Sequence, residues 1–179
     1  MKEQKIAVIG MGMWGKNIVR NFYNLNALEM VCDLDDESLK SVQEQFPGVK
    51  VTKDFNDIIN NKEITGVAVV TPSHTHFKIV KAMLEAGKNV YVEKPISTVA
   101  EDAKVLTELA EEKGLVLMVD HLLLYHPAVN RLKMLIEDGV LGELVYAQSD
   151  RLNVNYHKND RSVMWDLAPH DVSMIAYVT

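Results

Sequence analysis

Cysteine is nearly missing from this 179-residue chain: Cys32 is the single one. An internal disulfide framework is therefore excluded, and so is a cysteine cluster for zinc. Long hydrophobic runs are missing too, since none approaches the ~18 residues of a membrane helix. The opening Met1-Lys2-Glu3-Gln4-Lys5 leads into a short apolar stretch ended by glycines, unlike a signal or transit peptide. Positive charge is outnumbered, with 19 Lys and Arg against 25 Asp and Glu and a net charge of -6. That balance argues against a broad nucleic-acid face while leaving room for a small cationic pocket. There is no run of like charges, no low-complexity linker and no solenoid repeat. What remains is an ordinary globular composition, 47% hydrophobic and 25% charged. The expectation is a soluble cytoplasmic protein with no membrane or nucleic-acid partner, long enough for one domain and part of a second.

Glycines and prolines are few, 9 and 5, and most of them punctuate a strand–helix rhythm. Lys5 to Ile9 is β-branched and apolar up to a glycine turn, as a strand buried on both faces requires. A helix through Ile18, Val19, Phe22 and Leu25 follows, then a strand over Leu28 to Cys32 closed by an acidic turn. Leu39, Val42 and Phe46 mark a helix stopped by Pro47-Gly48, ahead of a brief strand at Lys50 to Thr52 and a short helix at Phe55 to Ile59. Gly66 to Thr71 is the clearest core strand; a helix through Phe77, Val80 and Leu84 then ends at Gly87. After a strand at Asn89 to Val92, Thr98-x-x-Glu101 predicts a capping box at the head of a helix through Val105 and Leu109, with a strand over Leu115 to Val119 behind it. This alternation predicts an α/β fold, a Rossmann-type doubly wound parallel sheet, over residues 1–120. From His121 the rhythm changes. A helix with Pro127 in its first turn runs to Gly139, a long strand is expected over Gly142 to Asn153, and an irregular stretch from Asn155 to Ser162 precedes a last helix. Residues 121–179 are expected to open a second, incomplete α/β domain.

Gly10-Met11-Gly12-Met13-Trp14-Gly15 satisfies G-x-G-x-x-G between a first strand and a first helix, the context in which that motif binds a dinucleotide. Its residues Gly10, Gly12, Met13, Trp14 and Gly15 are cofactor candidates. Asp33 lies 23 residues after Gly10, at the end of the second strand, where a carboxylate takes the ribose hydroxyls of NAD. No Lys or Arg follows before Lys40, so NAD is favoured over NADP. Thr71, Pro72, His76, Glu93 and Lys94 also follow strands, and in open α/β sheets the ligand crevice lies at the strands' carboxyl ends. His74-x-His76 does not read as a metal pair, because no further His or Cys completes a shell; no metal is expected. Lys94 is either a cation for a substrate oxygen or an ordinary surface lysine. Asp166 and His170 stand four apart, so a helix would bring carboxylate and imidazole to one face. Pro169 fits only the first turn of the helix that follows, which would leave Asp166 as an N-cap.

Ala7-Val8-Ile9-Gly10 through Gly15, Thr71-Pro72-x-x-Thr75-His76, Glu93-Lys94-Pro95 and Trp165-Asp166-Leu167-Ala168-Pro169-His170-Asp171 together resemble the Gfo/Idh/MocA oxidoreductases, in order along the whole chain. Within that family, Trp14-Gly15-Lys16-Asn17 and the Trp165 to Asp171 run are similar to the UDP-N-acetylglucosamine 3-dehydrogenase branch. The resemblance implies NAD as cofactor, a cis Lys94-Pro95 bond, and catalysis by Lys94, Asp166 and His170. The reaction it implies is oxidation of a secondary hydroxyl, at C3, of a sugar nucleotide such as UDP-N-acetylglucosamine or its uronate. For such a substrate Arg151 and Arg161 are diphosphate candidates or solvated surface charges. Tyr125, Asn153 and Trp165 are sugar-pocket candidates, with core packing the stronger reading for Trp165. Family members are nearly twice as long, so the chain is expected to be truncated. Its Met164, Leu167, Ile175, Tyr177 and Val178 would lack part of their packing surface and favour a homo-oligomer. A non-catalytic NAD-binding fragment and an inositol or free-sugar dehydrogenase are the alternatives.

Overall fold

The structure, a computed structural model, describes residues 4–151 and 162–179. Its chain divides into two compact units, Met1–Val119 and Asp120–Thr179.

In the first unit, strands β1 (Ile6–Ile9), β2 (Leu28–Cys32), β3 (Lys50–Thr52), β4 (Gly66–Val69), β5 (Asn89–Val92) and β6 (Leu117–Val119) form one sheet in the order β3-β2-β1-β4-β5-β6. Every neighbouring pair is parallel. The order reverses between β1 and β4, and that switch point is where a crevice opens beyond the carboxyl ends. Helices α1 (Gly15–Asn24), α2 (Asp36–Gln45), α3 (Asn56–Asn60), α4 (His76–Glu85) and α5 (Ala100–Glu112) connect the strands.

Alternation along each strand supplies two cores. Val8, Val31 and Ala68 pack with Val19 of α1 and Leu39 and Val42 of α2. Ala7, Ile9, Val67, Val69, Val90 and Val92 face the other way, onto Ile58, Val80, Met83, Leu84 and Leu106. The β-branched runs thus read as continuous because both faces are covered. A buried lysine joins two connections: Lys88, 5% exposed, donates from Nζ to the carbonyls of Asn61 at 2.6 Å and Ile64 at 2.9 Å.

The expected capping box at Thr98-x-x-Glu101 does not form. The N-cap of α5 is Val99, with no side-chain cap. Buried Ser97 takes the role one position earlier, its Oγ accepting from Val99 N–H at 3.1 Å and donating to Asp102 Oδ2 at 3.0 Å. Thr98 is exposed and Ser97 buried, so the hydroxyl that the helix start can enclose wins.

The second unit contains α6 (Pro127–Glu137) and α7 (Val163–Val178). Pro127 sits in the first turn of α6, where its missing N–H costs nothing. Tyr177 Oη donates to Asn130 Oδ1 at 2.9 Å, and Lys133 Nζ lies 3.9 Å from the centre of the Tyr177 ring. Val178 is buried, whereas Met164 is exposed. Two further expectations change. The long strand over Gly142 to Asn153 is absent among the described residues, where 143–151 has no regular structure; a strand is defined by a paired neighbour, and none is present there. Pro169 stands inside α7 rather than at the head of a helix, so Ser162 is the N-cap and Asp166 lies in the first turn. A proline there removes the intrahelical bond to the carbonyl four residues earlier, and six helical residues precede it.

Candidate active site

The first turn of the sheet explains its glycines individually. Gly10 leaves β1 with φ +102°, and a Cβ there would stand 2.7 Å from the Val70 carbonyl oxygen. Gly15 opens α1 so close to the strand that a Cβ would meet the Gly10 oxygen at 2.1 Å. Gly12 is different: no atom lies within 4 Å of where its Cβ would project. The helix behind it has no side-chain cap and no acid in its first turn. By contrast α2 is closed by its own Asp35, which accepts from Ser38 N–H at 2.8 Å. An uncapped helix start beside open backbone is a site for an anion such as pyrophosphate.

A cleft of about 670 Å³ runs from this turn across the sheet edge, lined by Gly10, Met11, Gly12, Asp33, Leu34, Asp35, Thr71, Pro72 and His74, among others. Asp33 is held by two backbone donors: Met11 N–H to Oδ2 at 2.5 Å and Asp35 N–H to Oδ1 at 2.8 Å. Each oxygen keeps a further lone pair, enough for a pair of ribose hydroxyls. The cleft therefore fits a dinucleotide: open backbone for the phosphates, a fixed carboxylate for the ribose, and the side chains of Leu34, Phe55 and Ile79 as apolar wall. Behind Asp33, the Cys32 thiol is pushed up to about 11 by burial, with the carboxylates of Asp33, Asp54 and Asp57 adding to the effect.

Met13, Trp14, Gly15, His76, Glu93 and Lys94 do not line this cleft. Met13 and Trp14 are exposed on the turn. His76 lies beneath the site, 1% exposed, with Nδ1 2.8 Å from the Pro95 carbonyl oxygen and Nε2 2.8 Å from that of Thr71. A neutral ring donates to only one of these, whereas an imidazolium donates to both. With its proton on Nδ1 the ring donates to the Pro95 carbonyl and ties the start of α4 to the turn after β5. The Thr75 hydroxyl, 2.7 Å from both the Thr71 hydroxyl and the Pro72 carbonyl, tightens the turn after β4. Lys94 is half-buried two residues past the end of β5, and its bond to Pro95 is cis.

In the second unit Asp166 and His170 occupy successive turns of α7, both half-buried. Arg151 Nε donates to Asp171 Oδ2 at 2.7 Å, and Ser149 Oγ to Oδ1 at 2.7 Å. Burial would raise the Asp171 pKa, but these hydrogen bonds and the charges of Arg151 and His170 outweigh it and hold the carboxyl below its ordinary value. Arg151 is thus engaged within its own unit. Tyr125 is exposed, and Trp165 is 40% exposed rather than packed in a core. Asn153 and Arg161 lie outside the described residues. Among the described residues no cluster of three His, Cys, Asp or Glu could hold a metal ion, and no helix is long and apolar enough to cross a membrane.

Sequence reasoning passed over Lys53, Phe55 and Lys78, which also line the cleft. The carboxyl-end rule was enough to find Lys53, the residue immediately after β3.

The family described as Gfo/Idh/MocA, "Oxidoreductase family, NAD-binding Rossmann fold", matches residues 4–121. The chain belongs to that family. Its cofactor is accordingly NAD, the ligand for which the cleft is shaped. Among curated relatives, it is 28% identical over 185 residues to UDP-N-acetylglucosamine 3-dehydrogenase of Acidithiobacillus ferrooxidans, covering 100% of this chain and 55% of that one. It is 29% identical over 151 residues to 2,7-anhydro-N-acetylneuraminate hydratase of Mediterraneibacter gnavus, covering 84% and 40%. A solved scyllo-inositol dehydrogenase from Lactobacillus casei, with NAD(H) and scyllo-inositol bound, shares the fold at TM-score 0.83 and 21% identity over 99% of this chain and 56% of that one. The chain spans about half the length of these proteins.

Proposed function

We propose that the protein is an NAD-dependent dehydrogenase that oxidises a secondary hydroxyl, at C3, of a sugar nucleotide such as UDP-N-acetylglucosamine or its uronate. The observation that carries this reading is the match to UDP-N-acetylglucosamine 3-dehydrogenase, which takes in the whole chain and with it the Trp165 to Asp171 run. NAD, when bound, supplies the hydride acceptor. His170 takes the proton of the reacting hydroxyl as general base, and Asp166, one turn earlier on α7, orients the ring. Lys94 donates to a substrate oxygen and favours its alkoxide character. Glu93, with Met13 and Trp14 of the glycine turn, borders the bound dinucleotide, and His76 positions Lys94 through the Pro95 carbonyl. Arg161 holds the substrate diphosphate, with the free face of the Arg151 guanidinium beside it, and Tyr125, Asn153 and Trp165 contact the sugar. Residues 121–179 belong to the substrate-binding domain, which also mediates homo-oligomer contact; the exposed Val140, Leu141, Val145 and Tyr146 supply apolar surface for it.

A second reading rests on the hydratase relative: the chain would serve addition of water to an anhydro-sugar, with no net change in the redox state of NAD. Following NADH formation with a panel of UDP-sugars, inositols and anhydro-sugars separates the two. Net NADH with a UDP-sugar supports the proposal. Net NADH with inositols alone replaces its substrate, and product without net NADH replaces its reaction. NAD binding without any product leaves a cofactor-binding module and overturns the enzyme reading.

A further inference from the structure

The cofactor cleft contains a cation that neither the glycine turn nor Asp33 accounts for. In the parallel β2–β3 pair, Cys32 stands opposite Thr52, and Asp33 N–H donates to the Thr52 carbonyl at 3.2 Å. Lys53, the next residue, is therefore about one strand spacing, ~4.8 Å, from Asp33 along the sheet edge. Both side chains line the cleft. The Lys53 ammonium is held 2.6 Å from Asp36 Oδ1, at the head of α2, and the two side chains are 50% and 82% exposed. An exposed pair of this kind is screened and easily exchanged for another partner.

A ribose bound on Asp33 brings its 2′ position into this ring of charges. A 2′-phosphate there would carry nearly two negative charges and needs a cation. Of the two lysines that line the cleft, Lys53 is the one beside Asp33 on the sheet edge, but while it stays on Asp36 the phosphate faces the carboxylates of Asp33, Asp35 and Asp36. We infer that the Asp36–Lys53 ion pair is a specificity latch: by holding Lys53 off the ribose, Asp36 enforces NAD over NADP, and releasing the lysine opens the cleft to the phosphorylated dinucleotide. The inference concerns the cofactor and is independent of which substrate the enzyme takes.

Calorimetric titration of NAD and NADP into the wild-type chain, Asp36→Asn, Lys53→Met and the double variant tests it, with thermal melts confirming that each is folded. Wild type prefers NAD. Asp36→Asn lowers the ratio Kd(NADP)/Kd(NAD) about tenfold, the scale of one partly exposed charge-assisted contact. Lys53→Met does not lower the ratio, and the double variant returns to within about twofold of Lys53→Met, because the gain works through the lysine. An unchanged ratio in Asp36→Asn overturns the latch. So does a drop that survives in the double variant, since charge removal alone would then explain it. Binding of neither dinucleotide by the wild type overturns the cofactor assignment and the latch together.

Discussion

Gly12 and Gly15 belong to one motif, yet the structure predicts opposite consequences for the same methyl group. At Gly15 the added Cβ would stand 2.1 Å from the Gly10 carbonyl oxygen, an overlap of more than 1 Å between backbone segments that cannot rotate away. Relief requires α1 to move off β1, at about 2–4 kcal/mol. For a unit of this size that is a fall in Tm of about 8–16 °C. At Gly12 the Cβ meets no atom within 4 Å, and loss of backbone freedom in the unfolded chain offsets any small strain, so Tm should stay within about 3 °C of wild type. The methyl group instead fills the space that the dinucleotide's pyrophosphate needs. Losing one charge-assisted backbone contact is worth about 1.5–3 kcal/mol, so Gly12→Ala should raise the Kd for NAD by at least about tenfold. Thermal denaturation and NAD calorimetry on both variants separate fold from function. Wild-type NAD affinity in a folded Gly12→Ala would refute the placement of the phosphates.

Three other outcomes follow from buried groups. Lys88→Met leaves the Asn61 and Ile64 carbonyls without their donor and should destabilise the first unit by about 1–3 kcal/mol, read by urea denaturation. Burial also lowers the Lys88 pKa, so the unfolded chain binds the extra proton between the folded value and 10.5, and stability contributed at this site should rise with pH across that window; a wild-type slope no different from Lys88→Met there would contradict it. Cys32, with its thiol near 11, is about a thousandth thiolate at about pH 8, so its alkylation should be about a hundredfold slower than that of a thiol at the ordinary value of 9.0. Burial lowers the His121 pKa despite the Asp120 charge, and its Nδ1 has no hydrogen-bond partner. The folded state therefore resists protonating it, stability should fall as pH drops below 6.5, and His121→Gln should flatten that fall in pH-dependent melts.

The centre of the first unit was legible because β1 and β4 are covered on both faces, so their apolar runs are nearly continuous and end at turn residues. The boundaries at Leu28–Cys32, Lys50–Thr52 and Asn89–Val92 followed from short β-branched or apolar runs set between helices and turn residues. Gly12 and Asp33 were legible because both stand at the carboxyl ends of strands, Asp33 directly after β2 and Gly12 in the turn after β1. His76 was not, because its burial depends on the Pro95 carbonyl 19 residues away, a contact with no local signature. The Ser97 cap escaped because burial rather than motif spacing chose the hydroxyl. The alternating stretch from Gly142 was read as a strand from its pattern, but a pattern without a paired neighbour is not a strand. Pro169 was read as a helix head from its chemistry, whereas α7 extends a turn and a half before it.

The most direct measurement is the crystal structure of this chain with NAD. The dinucleotide should lie along the cleft, with its pyrophosphate over Gly12 at the start of α1 and its adenosine ribose hydroxyls on the Asp33 carboxylate. NAD bound elsewhere, or a cleft empty at saturating NAD, would contradict the account.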